Sequence, residues 1–225
     1  HQDGGMSFSF NYMKYNMGRV CLKIPGEHNV LTALAAIAVG LELDIPFDKI
    51  KTGLEKFSGV NRRFEHKAQI NDIMVVDDYA HHPSEISVTL KAARSGWSKR
   101  RIVAVFQPHL YSRTRDFYKD FARSFFQVDV VVLTDVYPAR EKPIPGIDGK
   151  LIADTAISMG HRGVHYVADK NQLPEYLLQL VRPGDMVITL GAGDIWKFGN
   201  NLIELLKKEA DRPPKTSRKS GSRNG

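Results

Sequence analysis

The chain has 225 residues, which is enough for one large domain, or for one domain and part of another, around a substantial core. A hydrophobic content of 42% with charges of both signs is typical of a soluble globular protein, and the apolar runs are too short to span a membrane. Cys21 is the only cysteine, which excludes an internal disulfide, and the sequence opens without a signal peptide. We therefore expect a cytoplasmic protein with no membrane partner.

The net charge of +7 is concentrated at the carboxy-terminal end of the chain. The last fourteen residues hold five cations and no acid, so they account for +5 and leave +2 for the rest. Because this segment has nothing apolar to bury, residues 209–225 are predicted to form a disordered basic tail. A charge confined to such a tail does not favour nucleic acid as a partner.

In chain order, the first 58 residues predict a hairpin followed by two helices. Polar and apolar residues alternate over 7–15 and 19–24, and Asn16-Met17-Gly18 between them is typical of a hairpin turn. Apolar residues with helical spacing then predict helices over 29–41 and 47–57. These elements are too few for a self-sufficient domain. We therefore expect residues 1–58 to be the end of a domain, in a chain that starts with His1 as a piece of a longer protein.

After Gly59, short β-branched runs alternate with amphipathic segments. Strands are predicted over residues 73–76, 102–106, 128–133, 164–167 and 186–190. Helices are predicted over residues 84–94, 114–125, 150–158, 172–180 and 195–208. Strands and helices that alternate at this spacing indicate an α/β fold with a doubly wound, mostly parallel sheet.

Polar residues follow four of the five predicted strands, over residues 77–82, 107–113, 135–143 and 191–194. The carboxyl ends of parallel strands share one edge of a sheet, where the amino-termini of the following helices also point. Free N–H groups at those helix ends favour anions. The sequence therefore predicts a binding site for a phosphate or carboxylate at this edge.

Arginines near this edge are candidates for holding such an anion. Arg113 follows the second strand and could bind a carboxylate or phosphate with both arms of its guanidinium. Arg62 and Arg63 lie at the boundary between the two halves, where a ligand between domains could be held, although periodicity alone favours a solvated basic pair. The Gly191-Ala192-Gly193-Asp194 turn is a weak signal, because most short glycine turns only let a strand enter a helix closely.

The same clusters leave two other functions open. The carboxylates and imidazoles could hold a metal ion, as in a metal-dependent hydrolase. The candidate ligands are Asp77, Asp78, His81, His82 and His109, although the chain has no helical H-E-x-x-H pattern that would fix their geometry. The G-x-x-x-x-G-K-[ST] phosphate loop is also missing from the sequence. A non-catalytic nucleotide- or anion-binding module therefore remains an alternative to an enzyme.

Six motifs in order carry a resemblance to a known family. They are Gly26-Glu27-His28-Asn29, Gly59-Val60-Asn61-Arg62-Arg63-Phe64, Asp77-Asp78-Tyr79-Ala80-His81-His82-Pro83, Gln107-Pro108-His109 with Tyr111-Ser112-Arg113-Thr114, Pro143-Ile144-Pro145-Gly146 and Gly191-Ala192-Gly193-Asp194. Together they resemble the ATP-dependent Mur ligases of peptidoglycan synthesis, and within that family the branch that adds L-alanine. The resemblance covers roughly residues 18–208, and six ordered motifs make it specific.

The resemblance implies a division of the chain and a reaction. Residues 1–58 correspond to the end of the central ATPase domain, and residues 59–208 to the carboxy-terminal Rossmann-like domain, followed by the basic tail. The reaction activates the carboxylate of UDP-N-acetylmuramate with ATP to an acyl phosphate, which the L-alanine amine attacks. The phosphate loop and most magnesium ligands belong to the missing amino-terminal and central domains, so the chain alone is expected to be inactive and no metal ligand is assigned here.

The resemblance also implies roles for individual residues. Near ATP it places Asn29 and Thr32 at the adenine, Arg63 at a phosphate and Asp78 at the ribose hydroxyls. Near the amino acid it places Tyr79, His81, His109 and Arg113, the last two as catalytic residues beside its carboxylate and the transferring phosphoryl group. Two positions depart from the family pattern, because Thr32 stands where a second asparagine is usual and Leu110 where an arginine is frequent.

Overall fold

The computed structural model describes residues 4–211, and its first part is a hairpin with two helices. Strands β1 (Met6–Tyr12) and β2 (Tyr15–Leu22) pair antiparallel and are followed by helices α1 (Glu27–Glu42) and α2 (Phe47–Lys56). We call residues 4–58 the hairpin lobe. Its core is small and is built mainly from Val20, Leu22 and Ala33.

The turn of this hairpin lies earlier than the sequence predicts. The chain reverses at Met13-Lys14, where Met13 has a φ of 54°, and not at Asn16-Met17-Gly18. The latter residues form an irregularity inside β2, where the Asn16 side-chain oxygen accepts the Gly18 N–H at 2.8 Å. An asparagine and a glycine suit a strand bulge as well as a turn, which explains the wrong position.

The second part, residues 59–211, is the sheet lobe and contains a six-stranded sheet. In chain order its strands are β3 (Glu65–Ile70), β4 (Ile73–Asp78), β5 (Arg101–Phe106), β6 (Val130–Leu133), β7 (Val164–Tyr166) and β8 (Asp185–Leu190). Their order across the sheet is β3-β4-β8-β5-β6-β7, and all neighbours are parallel except β3 and β4. The predicted α/β fold with a mostly parallel sheet is confirmed.

Strand β3 was not predicted from the sequence. It is polar and half-buried at the edge of the sheet, so it lacks the apolar run that marks the inner strands. A tight turn joins it to β4 at Asn71-Asp72, where both residues have positive φ, of 49° and 60°. Asparagine and aspartate are residues that tolerate this backbone conformation in hairpin turns.

Helices cover both faces of the sheet. One face carries α3 (Pro83–Gly96), α4 (Tyr111–Ser124) and α5 (Gly149–Ser158), and the other carries α6 (Leu173–Leu180) and α7 (Ile195–Ala210). Successive residues of β4 alternate between these layers, because Met74 and Val76 pack against the first and Ile73 and Val75 against the second. No helix within residues 4–211 has the length and apolar character needed to cross a bilayer.

The element bounds differ from the predicted ones mostly by a few residues. The largest differences are at the start of β2, which begins at Tyr15, at the end of β1, which is Tyr12, and at the start of α4, which begins at Tyr111. Helix α7 continues to Ala210, so the predicted disordered tail is wrong for residues 209 and 210. Residues 212–225 of that tail lie outside the described part of the chain.

The predicted convergence of strand ends is confirmed by the register of the sheet. Asp78 at the end of β4 lies opposite Leu190 of β8, which lies opposite Phe106 of β5, and Phe106 lies opposite Leu133 of β6. The four segments that follow these strands therefore start side by side along one edge.

Candidate functional site

A cleft of about 520 Å³ between the two lobes brings together all four residues that the resemblance assigns to ATP. Its polar lining includes Asn29 and Thr32 from α1, Arg63 from the segment that joins the lobes, and Asp78 from the end of β4. The exposed apolar side chain of Phe57 lies in the same cleft. We call this region the interlobe cleft, and its volume falls in the range of small-molecule sites.

Asp78 is held rigidly at the base of the interlobe cleft. Its side chain is buried, and its two carboxylate oxygens accept the N–H groups of Ala80 and Phe64, each at 2.8 Å. Burial raises the pKa of Asp78, while the two backbone hydrogen bonds and the Arg63 cation oppose that rise. Because a carboxylate oxygen has two lone pairs, each oxygen retains one acceptor position for a ligand.

The two α1 residues of the interlobe cleft also have hydrogen bonds within the protein. The Asn29 amide nitrogen donates to the Pro25 carbonyl at 2.6 Å, and the Thr32 hydroxyl donates to the His28 carbonyl at 3.0 Å. The Thr32 proton is thus used inside its own helix, which is a common arrangement for threonine. Arg63 differs, because its guanidinium has no hydrogen-bond partner among the described residues and lies 5.8 Å from the centre of the Tyr79 ring.

A second group of side chains lies beyond the strand ends within the sheet lobe. The ring centres of Tyr79 and His81 are 5.2 Å apart, those of His81 and His109 are 5.9 Å apart, and His109 stacks on Tyr137 at 5.6 Å. Arg113 lies close enough to His109 for its charge to lower the imidazole pKa. We call these five residues the strand-end cluster. It contains all four residues that the resemblance assigns to the amino acid.

Several polar atoms in and beside this cluster are buried without a hydrogen-bond partner among residues 4–211. They are Nδ1 of His109, Nη1 of Arg113 and Oε1 of Gln107. A buried polar group of this kind costs about 1–3 kcal/mol of stability, so three close together are unusual outside a functional site. Burial lowers the pKa of His109 and the charges of Arg113 and His81 lower it further, against a smaller opposing effect of Glu141. This imidazole is therefore neutral at neutral pH.

The loop after β8 closes the cluster on one side and contacts Lys170, a residue from the connection after β7 that the sequence did not single out. Lys170 forms an ion pair with Asp194 at 2.7 Å, and Asp194 also accepts a hydrogen bond from the Gln107 amide at 3.1 Å. Gly193 packs so closely that a Cβ there would lie 2.5 Å from Gln107 Oε1 and 2.8 Å from the Tyr137 ring. Gln107 lies in a segment that the sequence did mark, directly after a buried strand, although no role was assigned to its side chain.

The described residues do not provide a set of ligands for the metal ion that the sequence left open. Within residues 4–211, no three His, Cys, Asp or Glu side chains are arranged to hold a metal ion. Asp77 is paired with Arg62 at 3.0 Å, and the His82 ring contacts Phe117 and Ser84 instead of the other imidazoles. Asp77 and His82 therefore lie in environments separate from the pair formed by His81 and His109.

The fold is that of one enzyme family. A family model described as Mur ligase, glutamate ligase domain, matches residues 62–193, which is more than half of the chain. The chain therefore belongs to the Mur ligase family, as the six motifs indicated.

Individual relatives narrow the similarity to ligases that use alanine. The chain is 52% identical over 200 residues to the UDP-N-acetylmuramate–L-alanine ligase of Trichlorobacter lovleyi, which covers 89% of this chain and 44% of that protein. It is 55% identical over 193 residues to the enzyme of the same name from Salinibacter ruber, which covers 86% and 41%. The chain thus spans less than half the length of these curated relatives. Neither a metal-dependent hydrolase nor a non-catalytic module is favoured by them.

Solved structures agree with this assignment. The crystal structure of a UDP-N-acetylmuramate-alanine ligase from Thermotoga maritima superposes with a TM-score of 0.72 at 33% identity, over 88% of this chain and 41% of that one. A murein peptide ligase from Psychrobacter arcticus superposes with a TM-score of 0.61 at 23% identity, over 91% of this chain and 42% of that one, and shows the shared fold.

Proposed function

We propose that this chain is the carboxy-terminal part of an ATP-dependent ligase that joins L-alanine to UDP-N-acetylmuramate in peptidoglycan synthesis. The observation that carries the proposal is the junction at the end of β4. Asp78 faces the interlobe cleft, whereas the next residue, Tyr79, belongs to the strand-end cluster. Two consecutive residues thus connect a nucleotide-sized cleft to a group of cationic and imidazole side chains.

The interlobe cleft suits the adenosine end and the phosphates of ATP. The fixed carboxylate of Asp78 has two free acceptor positions, which match the two hydroxyls of a ribose. The Asn29 side-chain oxygen remains an acceptor for an amino group of the base. The guanidinium of Arg63 has no hydrogen bond among the described residues, and its donors and charge suit a phosphate. The resemblance places most Mg²⁺ ligands in the other domains, so we assign none here.

The strand-end cluster suits a small amino acid. The guanidinium of Arg113 has no hydrogen bond among the described residues and would pair with the amino-acid carboxylate, while Tyr79 and His81 would line the other side. Neutral His109 would donate or accept one hydrogen bond beside the reacting carbonyl and would not add a repelling charge to the incoming ammonium group. In this scheme the protein positions two reactants, which accounts for much of the rate enhancement in phosphoryl and acyl transfer.

The proposal divides the chain near Gly59, between the end of a central ATPase domain and a carboxy-terminal domain, in a cytoplasmic enzyme. UDP-N-acetylmuramate and the phosphate loop would then be held by the other domains. Residues 1–225 alone should neither hydrolyse ATP nor form an amide bond, because half of a site cannot stabilise the transition state.

The proposal is tested with a chimeric ligase. The part of the Trichlorobacter lovleyi relative that precedes its similarity to this chain is fused to residues 1–225, and phosphate release and UDP-N-acetylmuramoyl-L-alanine are measured. We expect turnover that requires ATP, UDP-N-acetylmuramate and L-alanine together, and none with D-glutamate. The unmodified relative is the positive control. A folded chimera that forms no product, or that uses D-glutamate equally well, would overturn the proposal.

A further inference from the structure

Arg62 and its neighbour Arg63 both lie near the Tyr79 ring, but their other contacts differ. Arg63 lines the interlobe cleft, whereas Arg62 turns into the sheet lobe, with its side chain only 23% exposed. A positive φ of 61° at Arg62 allows this change of direction. The solvated basic pair that periodicity favoured is therefore wrong for Arg62.

The guanidinium of Arg62 connects three separate segments of the sheet lobe. Its Nε donates to the buried carboxylate of Asp77 at 3.0 Å, and its Nη2 donates to the Gly191 carbonyl at 2.6 Å. Its central carbon also lies 4.8 Å from the centre of the Tyr79 ring. One planar group thus fixes the end of β4, the start of the loop after β8 and one ring of the strand-end cluster.

The backbone of Arg62 and the partner of its side chain make this connection rigid. The Arg62 carbonyl accepts the Tyr79 N–H at 2.8 Å, and the Arg62 N–H donates to Glu65 at 2.9 Å. Asp77 is 3% exposed, and it accepts a second hydrogen bond, at 2.6 Å, from the Thr189 hydroxyl. A buried carboxylate with these two partners has little freedom, because losing the cation would leave its charge uncompensated.

Arg62 also lies in the segment that joins the two lobes. Any change in the angle between the lobes must alter backbone torsions near residues 59–64, and Arg62 would transmit such a change to Tyr79 and the Gly191 loop. We propose that Arg62 is a positioning residue, which ties the joint between the lobes to the two groups that flank the amino-acid position. The effect that we expect on the kinetics of L-alanine use rests on the proposed function.

The test compares Arg62→Lys with Arg101→Lys in the chimeric ligase. Arg101 is a matched control, because its side chain is also 23% exposed, pairs with a buried aspartate at 2.9 Å and donates to a backbone carbonyl, but it lies at the opposite end of the strands. A lysine retains the charge but cannot bond the carboxylate and the carbonyl in one plane. We expect Arg62→Lys to raise the KM for L-alanine about tenfold or more, the effect of losing one hydrogen bond to a charged group.

The KM for ATP should change by less than about twofold in Arg62→Lys, because Asp78 and Arg63 keep their own contacts. Arg101→Lys should lower the melting temperature of the chimera by about as much as Arg62→Lys does. It should leave the KM for L-alanine and the KM for ATP unchanged. Equal increases in KM for all substrates, or unchanged kinetics in Arg62→Lys, would overturn the positioning role. Thr189→Val is a milder second variant that keeps volume, and it should raise the KM for L-alanine in the same direction by about threefold.

The chain alone provides a readout that does not depend on activity. In the amide NMR spectrum of residues 1–225, Arg62→Lys should shift the signals of Tyr79 and of residues 191–193, while Arg101→Lys should leave them in place. Unchanged signals would overturn the inference whether or not the chimera is active. An inactive wild-type chimera would instead count against the proposed function, and the amide shifts would then decide on Arg62 separately.

Discussion

The interlobe cleft and the strand-end cluster use their polar side chains in opposite ways. In the cleft, Asp78, Asn29 and Thr32 all form hydrogen bonds with the backbone of the protein. In the cluster, His109 and Arg113 contain buried atoms that have no partner within residues 4–211. A group that is already bonded supports the fold as well as a ligand, whereas an unbonded group weakens the fold and is retained for another purpose.

This contrast predicts different outcomes when each region is mutated. Substitutions in the interlobe cleft should lower stability together with nucleotide binding. Substitutions in the strand-end cluster should impair the use of the amino acid and leave stability unchanged or improved. Four measurements test this difference between the two regions.

The largest effect is expected for Asp78→Ala in the chain alone. The change removes the acceptor of two backbone N–H groups, and each donor left without a partner costs about 1–3 kcal/mol, so the unfolding free energy should fall by about 2–5 kcal/mol. Urea unfolding followed by circular dichroism measures this loss. Asp116→Ala, at an exposed aspartate that pairs only with its neighbour Arg115, is the control and should change stability by less than about 0.5 kcal/mol. Equal values for the two variants would show that Asp78 acts on ligand alone.

Arg113→Met should separate binding from stability in the strand-end cluster. Methionine retains most of the aliphatic length but removes the guanidinium, so in the chimeric ligase the KM for L-alanine should rise about 10- to 100-fold. Because a buried nitrogen without a partner is removed at the same time, the chain should unfold at the same or a higher urea concentration. Arg123→Met on the exposed side of the same helix is the control. A loss of stability in Arg113→Met would mean that its guanidinium is structural.

Arg63→Met tests the exception within the interlobe cleft. Its guanidinium has no hydrogen bond among the described residues, so this variant should behave like one of the strand-end cluster. We expect a KM for ATP that is about tenfold higher, with an unfolding free energy within about 0.5 kcal/mol of the wild type. A stability loss comparable to that of Asp78→Ala would remove the distinction between bonded and unbonded groups.

The smallest effect concerns the pH dependence of stability. Burial lowers the pKa of His109 from its ordinary value of 6.5, so the unfolded chain takes up this proton first as the pH falls. Stability should therefore decline on acidification through that value and level off below the folded pKa. His109→Gln should flatten this part of the profile, measured by urea unfolding between about pH 7.5 and 5. A slope that is the same in His109→Gln and in the wild type would contradict the role of burial.

Much of the fold was predictable because the inner strands are buried and rich in β-branched residues. Strands β4, β5 and β8 are buried over nearly their whole length, half of their residues are β-branched, and the helices between them have clear apolar faces. Strand β3 was missed because an edge strand is half-solvated and its sequence, Glu-His-Lys-Ala-Gln-Ile, has no apolar run. The hairpin turn was misplaced because Asn16 and Gly18 favour a bulge and a turn equally.

The site was predictable as a location and only partly as a set of contacts. The strand ends converge as expected, and the residues named by resemblance occupy two defined regions. The sequence could not show that Arg62 and Arg63 point in different directions, because this depends on one residue with a positive φ. It also could not show which polar atoms lack partners, since Gln107, Tyr137 and Lys170 meet only through three separate connections of the sheet.

The close packing of Gly193 has a consequence for how this protein can change. A side chain at this position would lie 2.5 Å from the end of the Gln107 side chain and 2.8 Å from the Tyr137 ring, so a replacement requires both neighbours to move. A molecule that recognises the backbone of this loop would therefore meet a surface whose shape is coupled to two other connections of the sheet. A molecule that relies on the side chain of Leu110 or Thr32, the two positions where the resemblance expects other residues, would depend on groups without that coupling.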